Sequence, residues 1–207
     1  MIFNGEMVRA ILEGRKTQTR RVLATYQDAV KFCPEWDVNG KQIFIVPGEK
    51  DHTGMNPVIT AIPCPFGQPG DRVWVRETFR VHSRATDVAT LVYRASVRNS
   101  WTEQTHRVPV AVCNKPATPE KWTPSIHMPR WASRITLEIT DVRVERLNDI
   151  RECDAKAEGG QTECTLIGDK YYPGFRSLWK SIYGEESWAA NPWVWVIEFK
   201  RVEGGAA

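Results

Sequence analysis

Short strand-like runs, separated by turn residues, are the feature that most limits the fold of this chain. In "SRITLEITDVRVERL" (residues 133–147), Ile135, Leu137 and Ile139 alternate with polar residues, and the apolar positions resume after an expected bulge or bend. The run "NPWVWVIEFKRV" (residues 191–202) is apolar on both faces, which is typical of a central strand. Both runs therefore predict strands that pair with neighbours in a sheet.

Further strands are predicted in the first half of the chain. Asn39-Gly40 separates two alternating runs in "WDVNGKQIFIV", and this dipeptide is the strongest short signal for a β-hairpin. "DRVWVRETFRV" predicts one strand, and "ATLVYRA" predicts another soon after it. Residues 27–69 indicate an elaborated connection with a proline- and glycine-rich loop, whereas residues 96–130 indicate a polar excursion without a clear period.

Three short helices are also predicted. Asn4 is suited to cap the first helix, and Gly14 stands where a left-handed residue would end it. "NDIRECDAKAEG" indicates a second helix, capped by Asn148 or Asp149, and "YPGFRSLWKSIYG" indicates an amphipathic third helix. The residues expected to face inward from the first and third helices are Met7, Val8, Ile11, Leu12, Phe175, Leu178, Trp179 and Ile182.

The order of these elements predicts an α+β protein that is mainly β. Helix, strands, small helices and a last strand suit a small β-barrel flanked by short helices, with long loop insertions. A length of 207 residues fits one domain, which we place at residues 1–202, with insertions at about 27–69 and 96–130. We expect residues 203–207 to form a disordered tail.

Charge and cysteine usage argue against several classes of protein. A net charge of +3 is too small to predict binding to nucleic acid from charge alone. The five cysteines are odd in number and form no CxxC pair, and the four histidines are scattered, so we expect neither disulfides nor a metal or cofactor site. The sequence shows no signal-peptide pattern and no run of roughly 20 apolar residues. We therefore expect a protein of a reducing cytoplasm without a membrane partner.

The stretch "GRKTQTRR" (residues 14–21) places four cations and two threonines in eight positions. It is typical of a solvated basic turn, of a phosphate-binding loop, or of the chemical centre of an enzyme. In an enzyme, Lys16 acts as a base only if its pKa falls from about 10.4 toward neutrality. The flanking arginines lower that pKa, and enclosure in a pocket would lower it further.

The same stretch resembles the signature of the ASCH family, which reads glycine, any residue, lysine, two residues, glutamate, any residue, arginine. Gly14, Lys16 and Arg21 match this signature, and Thr19 stands where many members carry the glutamate. The small bacterial amidohydrolases that deacetylate N(4)-acetylcytidine share that threonine. They use the lysine, the threonine and a later glutamate for catalysis, and in "NDIRECDAKAEG" the matching position is Glu158.

The resemblance implies a PUA-like barrel and a catalytic set of Lys16, Thr19 and Glu158 that uses no metal and no cofactor. It covers the first 21 residues, the strand entry at Gly70-Asp71 and residues 133–202. The two additional segments resemble the longer members found in bacteriophages and prophages, which implies the cytoplasm of a bacterial host. The implied substrate is a nucleoside or nucleobase of the cytidine type that carries an acyl group on its exocyclic amine.

Two mechanisms are compatible with these three residues. In the first, neutral Lys16 takes the proton of Thr19, whose hydroxyl attacks the acyl carbonyl, and Glu158 protonates the leaving amine. In the second, Lys16 stays charged and stabilises the oxyanion while Glu158 activates water. The sequence leaves both open, because Glu158 would raise the pKa of Lys16 while burial and arginines would lower it.

Seven further residues are candidates for substrate binding. Arg21 could hold a substrate oxygen or orient the glutamate. In "VWVRETF", neighbouring positions face opposite sides, so either Arg76 or Glu77 is expected to line an interior polar site. Trp131, on the proline-stiffened loop "HMPRWASR", is a candidate platform for a nucleobase. The full set is Arg21, Trp74, Arg76, Glu77, His127, Arg130 and Trp131.

Two other functions stay open. A PUA-like module without catalysis would bind RNA through the same cations, and a ribonuclease would cut RNA. The combination of Thr19 with Glu158 favours the hydrolase, because pure binding needs no carboxylate beside a phosphate-facing lysine. The expected partner is a modified nucleoside or nucleobase, with RNA as the alternative. A monomer is expected, although no residue pattern fixes the oligomeric state.

Overall fold

The computed structural model describes residues 1–50, 52–97, 100–166 and 168–202. The α-helices are α1 (Gly5–Leu12), α2 (Trp101–Gln104), α3 (Glu152–Ala157), α4 (Tyr171–Tyr183) and α5 (Glu185–Ala189). The strands are β1 (Gln18–Val22), β2 (Cys33–Trp36), β3 (Gln42–Pro47), β4 (Val58–Pro63), β5 (Arg72–Trp74), β6 (Phe79–Arg84), β7 (Val88–Tyr93), β8 (Thr105–Pro109), β9 (Thr136–Arg146), β10 (Glu163–Thr165), β11 (Gly168–Lys170) and β12 (Trp193–Val202). The predicted tail at residues 203–207 lies outside the described residues.

The strands form antiparallel sheets, and this confirms the mainly β, α+β class. Strands β2-β3-β4 form one sheet and β6-β7-β8 another, while β10 and β11 form a two-stranded ribbon. Strand β12 lies between β1 and β9, which confirms that the run at residues 191–202 is a central strand. In the part of the chain that the structure describes, no sheet is closed into a barrel.

Tertiary contacts divide the chain into two compact units. The first unit contains residues 1–15 and 72–138 together with residues 201–202, and the second contains residues 16–71 and 139–200. The single domain at residues 1–202 stays a prediction. Two compact units can be parts of one domain, and they can also be two separate domains.

In the first unit, α1 begins and ends where the sequence indicates. The Asn4 Oδ1 accepts a hydrogen bond from Met7 N at 2.8 Å, and Gly14 has a φ of +74° just beyond the helix, which confirms both predicted caps. The core of this unit lies on one face of the sheet β6-β7-β8. It contains the buried side chains of Phe79, Val81, Ala89, Leu91, Tyr93 and Val108.

Two predictions for the first unit are wrong. The single strand predicted for "DRVWVRETFRV" is interrupted between β5 and β6, because the Arg76 N–H donates to Met1 O and the Glu77 N–H points to the Met128 sulfur. The segment 96–130 is also more ordered than predicted, since it contains α2 and β8. Only Val108 is buried in β8, so its apolar pattern is too weak to indicate a strand.

The second unit contains the predicted hairpin and the whole of the predicted insertion at residues 27–69. Strands β2 and β3 pair on either side of Asn39-Gly40, where Gly40 has a φ of +72°, and β4 pairs with β3. Residues 27–69 therefore hold a three-stranded sheet of their own. The buried cluster of this unit contains Leu147, Ile150, Ala155, Phe175, Trp179, Trp188, Val194 and Val196.

The helices of the second unit differ from the predictions in two details. Asn148 and Asp149 belong to a short 3-10 turn, and α3 begins later, where Asp154 Oδ2 accepts from Arg151 N at 3.3 Å. In α4, Phe175 and Trp179 are buried as predicted, but the Ile182 residue is 45% exposed. Trp188 of α5 completes the buried cluster in place of Ile182.

Candidate active site

The start of β1 and the end of α3 form a buried site in the second unit. The Thr17 N–H donates to Ala157 O at 2.8 Å, and Lys16 forms an isolated antiparallel bridge with Glu158. From Gln18 onward, β1 pairs with β12. These backbone contacts place Lys16 beside a residue that lies 142 positions later in the sequence.

Three acceptors surround the amine of Lys16. Its Nζ donates to Gln18 O at 2.8 Å, to Glu158 O at 2.9 Å and to Glu158 Oε2 at 2.7 Å. Solvent reaches neither group, because the side chain of Lys16 is 0% exposed and that of Glu158 is 4% exposed. Three acceptors match the three N–H donors of a protonated lysine, so the contacts fit an ion pair.

Burial is the largest influence on the pKa of Lys16, and it lowers this pKa from its ordinary value. The negative charge and the hydrogen bond of Glu158 act in the opposite direction, and the charges of Arg21 and Arg20 lower the pKa a little more. The acceptors thus indicate that the resting amine holds the proton, whereas burial makes that proton easier to remove.

Arg20 binds the second oxygen of Glu158. Its Nη1 donates to Glu158 Oε1 at 3.3 Å and to Gln18 Oε1 at 2.5 Å, and its Nη2 donates to Glu145 Oε2 at 3.2 Å. The Arg20 side chain is fully buried. Glu158 therefore has a cation on each oxygen, which fixes the direction in which its carboxylate points.

A second arginine extends this network toward the surface. Arg143 contacts Glu145 at 2.6 Å and Glu198 at 2.5 Å, and it also lies 3.5 Å from Asp154. This network could not be predicted from the sequence, because its carboxylates come from β9, α3 and β12 and share no motif. The alternation of β1, which puts Gln18 and Arg20 on one face, is the signal that could have indicated Arg20.

Thr19 and Arg21 lie on the other face of β1. Thr19 is buried and pairs with Ile197, while Arg21 is half-buried and pairs with Trp195. Successive strand residues point to opposite faces, so Thr19 points away from the face that carries Gln18 and Arg20. Lys16 therefore contacts Glu158 directly, whereas Thr19 lies on the opposite face of β1.

Three of the predicted substrate-binding residues lie around the break between β5 and β6, in the first unit. The Arg76 guanidinium stacks on the ring of Trp74 at 4.5 Å. Glu77 is buried, and its carboxylate accepts two hydrogen bonds from Arg134, at 2.8 and 3.0 Å. Of Arg76 and Glu77, Glu77 is therefore the residue that points inward. Its partner Arg134 was not among the predicted site residues.

The other three predicted residues lie on short 3-10 turns of the first unit. His127 and Arg130 are exposed, and Arg130 Nη2 lies 3.5 Å from Thr136 Oγ1. Trp131 is half-buried and meets the ring of Phe79 edge to face, with 6.3 Å between the ring centroids. Trp131 therefore packs against the core of this unit, and its role as a base platform stays a prediction.

Comparison of the chain with protein-family models, with curated proteins and with solved structures gives no match. Within the described residues, no group of three or more His, Cys, Asp or Glu side chains is placed to hold a metal ion. None of the helices that the structure describes is long and apolar enough to cross a membrane.

Proposed function

We propose that this chain is an amidohydrolase of the PUA-like ASCH type. The proposed reaction removes an acyl group from the exocyclic amine of a modified cytidine-type nucleoside or base. It needs no metal, because Lys16 supplies a positive charge and Glu158 supplies a base. Lys16, Glu158 and the resemblance of residues 14–21 to the ASCH signature together support this proposal.

The observation that carries the proposal is the buried contact between Lys16 and Glu158. Amide hydrolysis requires a group that stabilises negative charge on the carbonyl oxygen and a group that moves a proton to the leaving nitrogen. An amine and a carboxylate 2.7 Å apart, both shielded from water, can perform these two tasks. A surface salt bridge would not have this property, because solvent screens it.

The contacts favour the second of the two mechanisms considered above. Water adds to the acyl carbon while Glu158 accepts its proton, and the ammonium of Lys16 stabilises the oxyanion. The C–N bond then breaks, Glu158 returns the proton to the leaving amine, and the products are a carboxylic acid and the free nucleoside. Thr19 has no step in this route, which agrees with its position on the other face of β1.

Entry of the substrate requires local movement, since Lys16 and Glu158 are closed to solvent. The β-bridge between these residues is isolated, so opening it breaks few backbone hydrogen bonds. The same closure argues against a module that binds RNA phosphates through Lys16 and Arg20. A phosphate would have to displace Glu158 and would leave a buried carboxylate without its partners.

The experiment is incubation of the protein with N(4)-acetylcytidine and related acyl nucleosides, followed by chromatography of the products. We expect the deacylated nucleoside to appear. Glu158→Gln should lower turnover about a hundredfold or more, because the amide cannot accept the proton of water. Glu163→Gln, which removes an exposed carboxylate of the same unit, is the matched control and should keep turnover.

Two results would contradict the proposal. One is the absence of any deacylated product from the parent protein. The other is unchanged turnover in Glu158→Gln, which would remove Glu158 from the reaction. Cleavage of RNA in a parallel incubation, without deacylation, would instead support a ribonuclease.

A further inference from the structure

Positive charge is concentrated in the central part of the sequence. Residues 72–138 contain eleven Lys and Arg residues but only five Asp and Glu residues, a balance of +6. The whole chain carries +3, so the rest of the sequence is acidic on balance. All of residues 72–138 belong to the first unit, so this unit holds the basic excess.

Part of this charge lies on the face of the sheet β6-β7-β8 opposite the core, where Val92 is buried and Thr90 is half-buried. The opposite face carries the core residues of the first unit. Arg80 pairs with Val92 and Arg107 pairs with Thr90, and both partners point away from that core because they alternate with the buried Leu91. Arg80 and Arg107 therefore project from the same face of the sheet.

Two tryptophans lie beside these cations. The Arg80 guanidinium stacks on Trp122 at 4.6 Å, and Trp122 is held next to β6 by the two hydrogen bonds between Phe79 and Thr123. The ring of Trp101 meets His82 edge to face at 4.9 Å, and Trp101 is 50% exposed. One tryptophan therefore contacts Arg80, and the other contacts His82.

The cations of this face are not neutralised by carboxylates. No hydrogen bond or ion pair joins the guanidinium of Arg80 or Arg107 to another residue in the described ranges. Arg134 of the same unit differs, because Glu77 accepts two hydrogen bonds from it. Arg107 is exposed and Arg80 is half-buried, so both keep a positive charge at this face, and Arg107 presents its charge fully to a ligand.

We propose that this face binds single-stranded nucleic acid. It is formed by Arg80, His82, Thr90, Trp101, Arg107 and Trp122. Unneutralised arginines attract phosphates, and the exposed indole ring of Trp101 can stack on a base. A duplex keeps its bases stacked on one another, so only a single strand can use both features. This inference concerns the first unit alone and does not rest on the proposed hydrolase activity.

The test measures the affinity of the whole protein for fluorescein-labelled oligonucleotides of about twelve nucleotides that carry no acyl group. We expect oligouridine and oligothymidine to bind at low salt and to weaken as salt rises. Trp101→Ala should lower the affinity roughly fivefold to a hundredfold through lost stacking. Arg107→Glu should lower it at least about tenfold and flatten the salt dependence.

Lys31→Glu makes the same charge change at an exposed position of the second unit and is the matched control. It should change the affinity less than about twofold. Circular dichroism and the melting temperature verify that each variant is folded. Absence of binding by the folded parent would overturn the proposal, as would unchanged affinity in both Trp101→Ala and Arg107→Glu. Equal affinity for heparin, for a duplex and for the single strands, with no effect of Trp101→Ala, would also overturn it.

Discussion

The proton between Lys16 and Glu158 is held by two groups that solvent does not reach. Burial lowers the pKa of Lys16, while Arg20 stabilises the negative charge of Glu158 through its second oxygen. Removal of either member of such a pair leaves an uncompensated charge and costs about 3–5 kcal/mol. Glu158→Gln keeps the shape of the pair but removes one charge, so circular dichroism must show that this variant is folded before its turnover is compared with that of the parent.

Thr19 distinguishes the two mechanisms. Thr19→Val removes the hydroxyl but keeps the volume and the β-branched shape of a buried strand residue. Because Lys16 and Glu158 contact each other without Thr19, we expect turnover of an acyl nucleoside to stay within about threefold of the parent. Thr17→Val, at an exposed position, is the control. A loss of about a hundredfold in Thr19→Val alone would identify Thr19 as the nucleophile.

His106 predicts a pH dependence of stability in the first unit. Burial, and next the charge of Arg134, lower the pKa of His106 below its ordinary value of 6.5. The unfolded chain therefore takes up this proton at a higher pH than the folded chain. The free energy of unfolding should fall as the pH drops below 6.5 toward the folded pKa.

Urea unfolding at several pH values, from about 5 to 7.5, tests this dependence. His106→Gln should flatten the fall, whereas His127→Gln, at an exposed histidine, should leave it unchanged. The same slope in the parent and in His106→Gln would show that His106 does not cause the fall.

Part of the candidate site could be predicted from the sequence. Lys16 and Glu158 follow from the resemblance to a family signature, and the structure places them in contact. Arg20 could not be assigned in this way. Its partners Glu145 and Asp154 come from different elements, and a pairing of that kind depends on the fold rather than on spacing.

At the scale of elements, strong local signals in the sequence were sufficient to predict a strand or a hairpin, and weak signals were not. The hairpin at Asn39-Gly40 and the central strand β12 follow from turn chemistry and from a continuous apolar run. The break between β5 and β6 does not, because it depends on contacts of Arg76 N with Met1 O and of Glu77 N with the Met128 sulfur, which are distant in the sequence. Long-range contacts of this kind leave no periodic pattern in the sequence.

Substitution of two glycines of the second unit, Gly67 and Gly40, can show how tightly the loops that contain them are packed. Gly67 has a φ of +119°, and a Cβ there would lie 2.9 Å from Ile139 Cδ1. Gly40 also has a positive φ, +72°, but a Cβ there would meet nothing within 4 Å. Gly67→Ala should therefore lower the free energy of unfolding by about 3 kcal/mol, through strain and overpacking.

Gly40→Ala should lower the free energy of unfolding by only about 1 kcal/mol, because alanine is disfavoured in the left-handed conformation but meets no clash there. Urea unfolding of both variants gives the comparison. Equal losses would show that Ile139 moves aside and that the connection at Gly67 is loosely packed.

At the scale of the whole molecule, two strands run through both compact units. The boundary falls between Glu138 and Ile139 within β9, and between Lys200 and Arg201 within β12. Shared strands favour one cooperative transition over two separate ones.

We therefore expect calorimetry to show a single unfolding transition, with a calorimetric enthalpy equal to the van't Hoff enthalpy. The variant Gly67→Ala tests the coupling of the two units more directly than calorimetry does, because the substitution lies in the second unit only. The measurement is hydrogen exchange of backbone amides under native conditions, limited to amides that exchange by global unfolding. In Gly67→Ala, such amides of β7 in the first unit should lose as much protection as those of β3 in the second unit. Loss confined to β3, or two transitions, would contradict the single domain predicted for residues 1–202 and would show that each unit folds by itself.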